Sequence, residues 1–380
     1  RKDMLFAGTF RGVYVSFDGG GTWSALKSNL PVTPITDLTV KDSDLVVATM
    51  GRSFWIYDDL GLLRQWENKP NETQLFTPEP AILANWRGGM NSNSSTGMGD
   101  FKGVNPATGM VIYYNLPEVK KGSVLTLEIR DAQGKLVNSY SSKKDSTYVK
   151  YEGAPSKKDV LPAKKGLNRF VWNMRHDMLL GAPEVYIEGS FRGHKAIPGT
   201  YSLKLSSGDK VFETNAEIKN NPLYDISQEE FVAYDEFMGK AEKSYNEMTR
   251  MTNQLHEIQE KLTKVVGQLN APGQAELKSD AQTLLKELKA FDATMVQRLS
   301  KAYDDVENFE NGFTGHYLTA INQTDSSIPK VTNGARNKMK ELNTTWAGHK
   351  KTGEELLNNK IPAMNKKLFD SGFGALFATK

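Results

Sequence analysis

The pattern of apolar and polar positions changes twice along the chain. Residues 4–66 carry short apolar runs with a period near two: "MLFAGTF", "GVYVSFD", "TWSAL", "ITDLTVK", "DLVVATM" and "SFWIYDD". Each run is bounded by Gly, Asp, Ser or Pro, which predicts short strands joined by turns. Residues 67–110 lose the pattern and read as a connector. "PNETQLFTPEPAILANWRGG" is extended chain, and a Gly/Asn/Ser-rich loop follows it. Alternation returns over 111–222 in "MVIYYNLP", "SVLTLEIRD", "LVNSYSS", "LNRFVWNMR", "GTYSLKLSS" and "VFETNAEIK". Strands of that length, with turns at "DAQGK" and "AIPGTY", predict a β-sandwich with Trp172 in the inter-sheet core.

From residue 226 the period shifts to three and four. Phe231, Tyr234, Met238, Ala241, Tyr245, Met248, Leu255, Leu262, Val265 and Leu269 make one stripe; Leu277, Ala281, Leu284, Leu288, Phe291 and Met295 make a second. "NAPGQ" separates them. The spacing predicts a long antiparallel helical hairpin over 226–305, begun by a capping box at Ser227 and Glu230. Residues 306–330 read as a loop. Residues 331–380 hold further helix, with Ala335, Met339, Leu342 and Trp346 on one face and Pro362 as a break or kink.

Bulk properties narrow the function classes. The 380 residues have room for two or three domains, and 38% apolar content supports a packed core. A net charge of +3 gives no case for nucleic acid, and no apolar run reaches the length of a membrane span. Cysteine is absent, which excludes disulfides, thiolate metal sites and a cysteine nucleophile. Charge is uneven between the helical parts. Residues 226–305 hold 10 basic and 14 acidic residues, and residues 331–380 hold 9 and 4. Opposite signs predict that the last helices dock on the hairpin, or that the two ends meet different partners. "NET", "NSS", "NQT" and "NTT" match the N-glycosylation sequon, a weak pattern.

The first strands repeat. "DMLFAGTFRGVYVSFDG" and "SDLVVATMGRSFWIYDD" share Asp, an apolar pair, Ala and Thr, then Arg, an aromatic residue and Asp. A repeat of about 40 residues built from short antiparallel strands is the mark of a β-propeller blade. Within it, Ser16, Asp18, Gly20, Thr22 and Trp23 match the Asp-box, S-x-D-x-G-x-T-W. The chain thereby resembles Asp-box (BNR-repeat) propellers of the sialidase-like, xyloglucanase-like and sortilin-like kind. "LVVATMGRSFWIYDD" resembles their closing blade. "GLNRFVWNMR" with "PGTYSLKL" resembles Ig-like or fibronectin-like modules of bacterial secreted proteins. The implied fold is multidomain β plus α: the last blades of a propeller (1–66), a connector (67–110), an Ig-like sandwich (111–222) and a C-terminal helical bundle (226–305 and 331–380).

Candidate chemistry is sparse. Asp18 is read as a turn residue whose carboxylate accepts backbone N–H groups across the glycine tip, with Trp23 packed between sheets. Arg11 and Arg52 occupy matching turns. Arg52 is the candidate ligand-binding residue, since a guanidinium can hold a carboxylate or sugar hydroxyls; a salt bridge to Asp58 or Asp59 is the alternative. Asp58 and Asp59 are adjacent on a strand and face opposite sides, so they cannot flank one glycosidic bond. His176, His194, His256, His316 and His349 are scattered, with no HExxH, which predicts no metal site and no cofactor. "DDVENFE" at 304–310 lacks the ligand order of a calcium loop. The resemblance implies an extracytoplasmic bacterial protein that binds protein or glycan. Its blades would be completed by an upstream propeller segment or another chain. The alternatives are a BNR-type glycoside hydrolase with its catalytic carboxylates upstream, and a structural subunit of a surface or secretion assembly.

Overall fold

A computed structural model describes residues 2–26, 28–66, 71–84, 107–120, 122–325 and 328–376. Most of the Gly/Asn/Ser-rich loop predicted before residue 110, and the sequon at Asn93, lie outside the described residues. The chain forms two compact units. One comprises Arg1–Lys144, Val160–Met174 and Pro198–Asn221; the other comprises Asp145–Asp159, Arg175–Ile197 and Pro222–Lys380.

The first unit is β-rich. Strands β1 (Leu5–Thr9), β2 (Gly12–Ser16) and β3 (Ser24–Ala25) form one antiparallel sheet. Strands β4 (Ile35–Lys41), β5 (Asp44–Thr49) and β6 (Phe54–Tyr57) form a second, followed by helix α1 (Leu60–Gln65). The predicted repeat has a physical counterpart in its turns. Thr9 Oγ1 donates to the Gly12 carbonyl at 2.9 Å and accepts from the Arg11 N–H. Thr49 Oγ1 donates to the Ser53 carbonyl at 2.6 Å and accepts from the Arg52 N–H. A small core of Val13, Leu45, Val47 and Leu60 joins the two sheets. Period-two alternation leaves Phe54 (74% exposed) and Ile56 on the outer face of edge strand β6, while Trp55 and Tyr57 turn inward.

The connector supplies two short edge strands. β7 (Gln74–Leu75) pairs with β9 (Met110–Leu116), and β8 (Ala81–Ile82) pairs in parallel with a strand near residue 218. The remaining strands are β10 (Leu125–Arg130), β11 (Leu136–Ser141), β12 (Gly166–Trp172), β13 (Gly199–Ser207) and β14 (Lys210–Lys219). They make a five-stranded sheet, β11-β10-β13-β14-β8, and a three-stranded sheet, β12-β9-β7. Strand β10, "LTLEIR", buries every second residue. The two sheets meet through ring pairs: Trp172 against Tyr201 at 5.4 Å and Phe170 against Tyr140 at 4.7 Å. Trp172 is fully buried at that seam.

The second unit is helical. Helix α2 (Gln228–Gln268) opens with Ser227 and Glu230 in a reciprocal capping box and runs for 41 residues. Helix α3 (Ala275–Met295) returns along it; the predicted stripes from Tyr234 to Leu262 and from Ala281 to Met295 lie in one buried cluster, with Leu277 partly buried against it. Residues 306–330 are not simply a loop: Phe313–Thr324 form helix α4, because Phe313, Tyr317, Leu318 and Ile321 bury one face against the hairpin. Pro362 does not end the last helix. Helix α5 (Asn333–Glu355) passes through a π turn at Leu356–Lys360 into α6 (Ile361–Asp370). Proline sits in the first turn of α6, where the wider turn has already given up the bond its missing N–H would make. The basic end docks on the acidic hairpin: Lys350 pairs with Glu247 at 2.6 Å, Lys360 with Glu287 at 2.7 Å, and Lys367 with Asp280. Among the described residues, no helix is long and apolar enough to cross a membrane.

Residues 145–159 and 175–197 were expected within the sandwich but belong to the helical unit. The longer segment is irregular. Its ends pair through a bridge between Arg175 and Lys195, and Leu179, Val185, Ile187 and Phe191 bury into the helical core. Their spacing fits neither period, so they gain burial only as a loop packed on helices.

Candidate functional site

The Asp-box residues form a self-contained turn. Asp18 Oδ1 accepts from the Thr22 N–H at 2.8 Å and from Ser16 Oγ at 2.8 Å, and Asp18 Oδ2 accepts from Thr22 Oγ1 at 2.6 Å. Ser16 Oγ accepts from the Gly20 N–H at 2.9 Å. Gly19 and Gly20 take φ values of 71° and 101°, which favour glycine. The bonds from Thr22 and Ser16 stabilise the ionised carboxylate, and its pKa falls to about 2. Trp23 differs from expectation. It does not lie between sheets but remains 42% exposed, with Nε1 donating to the Gly20 carbonyl at 3.1 Å. The tight turn folds the ring back over its own tip.

Arg52 lies on an exposed turn with its carbonyl accepting from Trp55 Nε1. It makes no ion pair with another described residue, so the alternative of a bridge to Asp58 or Asp59 is not realised. Asp59 instead accepts from Tyr113 Oη at 2.9 Å, with the Arg169 charge nearby. Burial raises the pKa values of Asp58 and Asp59, and the charge of Asp44 adds to the shift of both. In the acidic run at 304–310, Asp305 caps backbone, accepting from the Lys301 and Ala302 N–H groups.

The sequence-scattered histidines are partly gathered. His176 and His194 stack with ring centroids 3.8 Å apart and planes 14° apart. The loop that carries them closes on itself: the His176 N–H donates to the His194 carbonyl at 2.9 Å, and the Leu179 N–H donates to the Phe191 carbonyl at 2.7 Å. Gly193 permits the closure, since a Cβ there would stand 2.2 Å from the Asp177 carbonyl oxygen. Both imidazoles point Nε2 at one oxygen of Asp235, His176 at 3.1 Å and His194 at 3.0 Å. On its other side His194 meets Glu242: Nδ1 lies 2.8 Å from Oε2, and the His194 backbone N–H donates to Oε1 at 2.7 Å.

This geometry sets the protonation. Both ring nitrogens of His194 face carboxylates, which only accept, so the buried ring is an imidazolium. Burial alone would lower its pKa; the bonds to Asp235 and Glu242 outweigh burial and push it up to about 9. His176 is shifted down by burial, against the bond to Asp235, and the His194 charge adds to that. Asp235 is held well below the usual carboxylate range, because bonds from both histidines overcome its burial.

A second polar cluster flanks the first. Asp325, at the end of α4, accepts from Arg175 at 2.6 Å, from Lys195 at 3.0 Å and from Tyr234 Oη at 2.5 Å. Burial would raise the Asp325 pKa, but the Arg175 and Lys195 charges bring it below the ordinary value. Burial shifts Lys195 down. Arg175, His176, His194 and Lys195 thus use both ends of the closed loop to meet residues of α2 and α4. The remaining histidines stay apart: His256 approaches Asp292 at 3.5 Å, His349 packs on Phe313, and His316 is exposed.

Sequence reading missed Asp235, Glu242 and Asp325. One signal was available. Glu242 lies four residues after Met238 and three before Tyr245, inside the apolar stripe of α2, and a charge placed there requires a buried partner. The partner, 48 residues earlier on an irregular loop, left no trace in spacing. No protein-family model matches the chain, and no curated protein or solved structure matches it.

Proposed function

We propose that the chain is the C-terminal part of an extracytoplasmic propeller-type protein that binds a protein or glycan ligand. In this reading the two three-stranded sheets are blades, the stacked sheets an Ig-like module and the helices a docking module. The observation that carries it is the outer face of edge strand β6, where Phe54 and Ile56 are exposed beside a strand edge that no other described residue pairs. Native edges are ordinarily covered, and an apolar one is a pairing surface. Further sheet, from the same polypeptide or another chain, covers it in the working assembly.

Two features favour binding over hydrolysis. Arg52 presents a guanidinium on an exposed turn beside that edge, suited to a carboxylate or sugar hydroxyls. The gathered carboxylates Asp235, Glu242 and Asp325 are occupied by His, Lys and Arg partners, and none is a free acid facing a second. The test is to incubate the natural full-length protein with polysaccharides and surface proteins, scoring retention and reducing-end release separately. Retention without release is expected, weakened at least tenfold by Arg52→Ala with an unchanged melting temperature. Reducing-end release would transfer the reading to a glycoside hydrolase.

A further inference from the structure

We propose that His176, His194 and Asp235 form a binding site for one divalent transition-metal ion of the zinc class, with Glu242 as its positioning residue. The inference stands apart from the binding function above and uses only the helical unit.

The donor set is chemically suited. Two imidazole nitrogens and one carboxylate oxygen are borderline-hard ligands that zinc-class ions take, and their donor atoms all lie within 4.8 Å of one another. The spacing fits as well. Ligand atoms about 2.0–2.1 Å from a tetrahedral ion stand about 3.3 Å from one another. The Nε2-to-Oδ1 separations are 3.1 and 3.0 Å. Both Nε2 atoms approach the same Asp235 oxygen, so an ion entering there displaces the protons between them, and the stacked rings, 14° apart, turn to bring their in-plane lone pairs onto it. His194, protonated on both nitrogens, releases its Nε2 proton to solvent and keeps the one on Nδ1; neutral His176 shifts its single proton from Nε2 to Nδ1 through solvent, so both rings bind as neutral imidazoles and one proton leaves in all. Asp235 is the most accessible of the three, its side chain 22% exposed, so the site opens to solvent on its side.

The surroundings are those of a held ligand. A metal-binding imidazole ordinarily donates its other N–H to a carboxylate, which fixes tautomer and ring orientation. Glu242 Oε2 receives His194 Nδ1 at 2.8 Å, while Glu242 Oε1 is pinned by the His194 backbone N–H at 2.7 Å. His194 therefore keeps its proton on Nδ1 and offers Nε2. The second histidine is fixed by the loop closure, whose bond joins the backbones of the two histidines themselves. Asp235 and Glu242 are seven residues apart on α2, two turns on one face, so a single rigid helix supplies both carboxylates.

The test uses the full chain, stripped with chelator and titrated with zinc chloride, and in parallel with cobalt chloride. One zinc per chain is expected by calorimetry and elemental analysis, with a melting temperature that rises with free zinc and a visible cobalt band of low coordination number. His176→Gln and Asp235→Asn should each weaken binding at least a hundredfold. Glu242→Gln should weaken it about 10- to 100-fold, the range for an outer-shell partner. Nitrogen-15 imidazole spectra of the unaltered chain decide the matter even if a variant fails to fold. Zinc should move the Nε2 resonances of His176 and His194 and leave His256, His316 and His349 in place. Absence of saturable binding, equal binding by the folded His176→Gln and Asp235→Asn chains, or shifts at the other histidines would each overturn the site.

Discussion

Asp18 and Asp235 are both carboxylates with depressed pKa values, reached by opposite routes. Asp18 takes its bonds from Ser16 and Thr22, within four residues, on a surface turn. Asp235 takes its bonds from His176 and His194, on a loop 59 and 41 residues away, in a site half closed to water. The first arrangement forms whenever the turn forms. The second forms only when loop and helix have met, and its histidine charge is held without water. Local and non-local anchoring therefore carry different risks, and each can be tested.

The largest difference should come from removing one anchor. Glu242→Ala leaves the His194 imidazolium buried with one carboxylate in place of two. Breaking a buried pair on one side typically costs about 3–5 kcal/mol. Urea unfolding of the helical unit should report a loss of that order, and a loss below about 1 kcal/mol would place His194 in a wetter, more tolerant site.

Next comes pH, measured on chelator-treated protein. The His194 pKa is raised from its ordinary 6.5 to about 9. Its contribution is therefore complete below pH 6.5 and is lost as pH rises through 9. At one pKa unit per 1.36 kcal/mol, the loss is about 3 kcal/mol. The turn responds at the other end. Asp18 is lowered from 3.8 to about 2, so its contribution is complete above pH 3.8 and disappears as pH falls through 2. Carboxyl and imidazole NMR titrations should find those two midpoints. A His194 midpoint near 6.5 would remove the distinction between the regions.

The smallest effect should be that of Asp18→Ala. The carboxylate is exposed, so its loss should speed amide exchange across residues 16–23 and lower the melting of the β-rich unit slightly. The helical unit should melt as before. Abolished ligand binding with unchanged exchange would show that the turn serves the ligand and not the fold.

The same contrast explains what could be read from the chain. Ser16, Asp18, Gly20, Thr22 and Trp23 are consecutive enough for their identities to encode the turn. The α2 and α3 stripes are legible because helical burial repeats every three or four residues. Strand β10 is legible for the same reason at period two. Helix α4 was hidden because Gly312, Gly315 and the neighbouring asparagines read as loop, while tertiary burial of Tyr317 and Ile321 decides the matter. The loop at 175–197 was hidden more deeply: its order comes from bonds to residues up to 150 positions away, and no local window contains both ends. Trp23 shows the converse limit, since a large ring announces packing without saying against what.

The pairing of Arg175 with Asp325 has a consequence for how the protein is made. These residues lie 150 positions apart. At about 5–20 residues per second of synthesis, that interval lasts about 8–30 s. Throughout it, Leu179, Val185, Ile187 and Phe191 have left the ribosome before the helices that bury them are complete. The nascent chain thus carries a sticky, unpartnered loop for longer than most elementary folding events take. A holding chaperone that recognises short apolar segments would find its clearest target there, and the hold would end when α4 emerges.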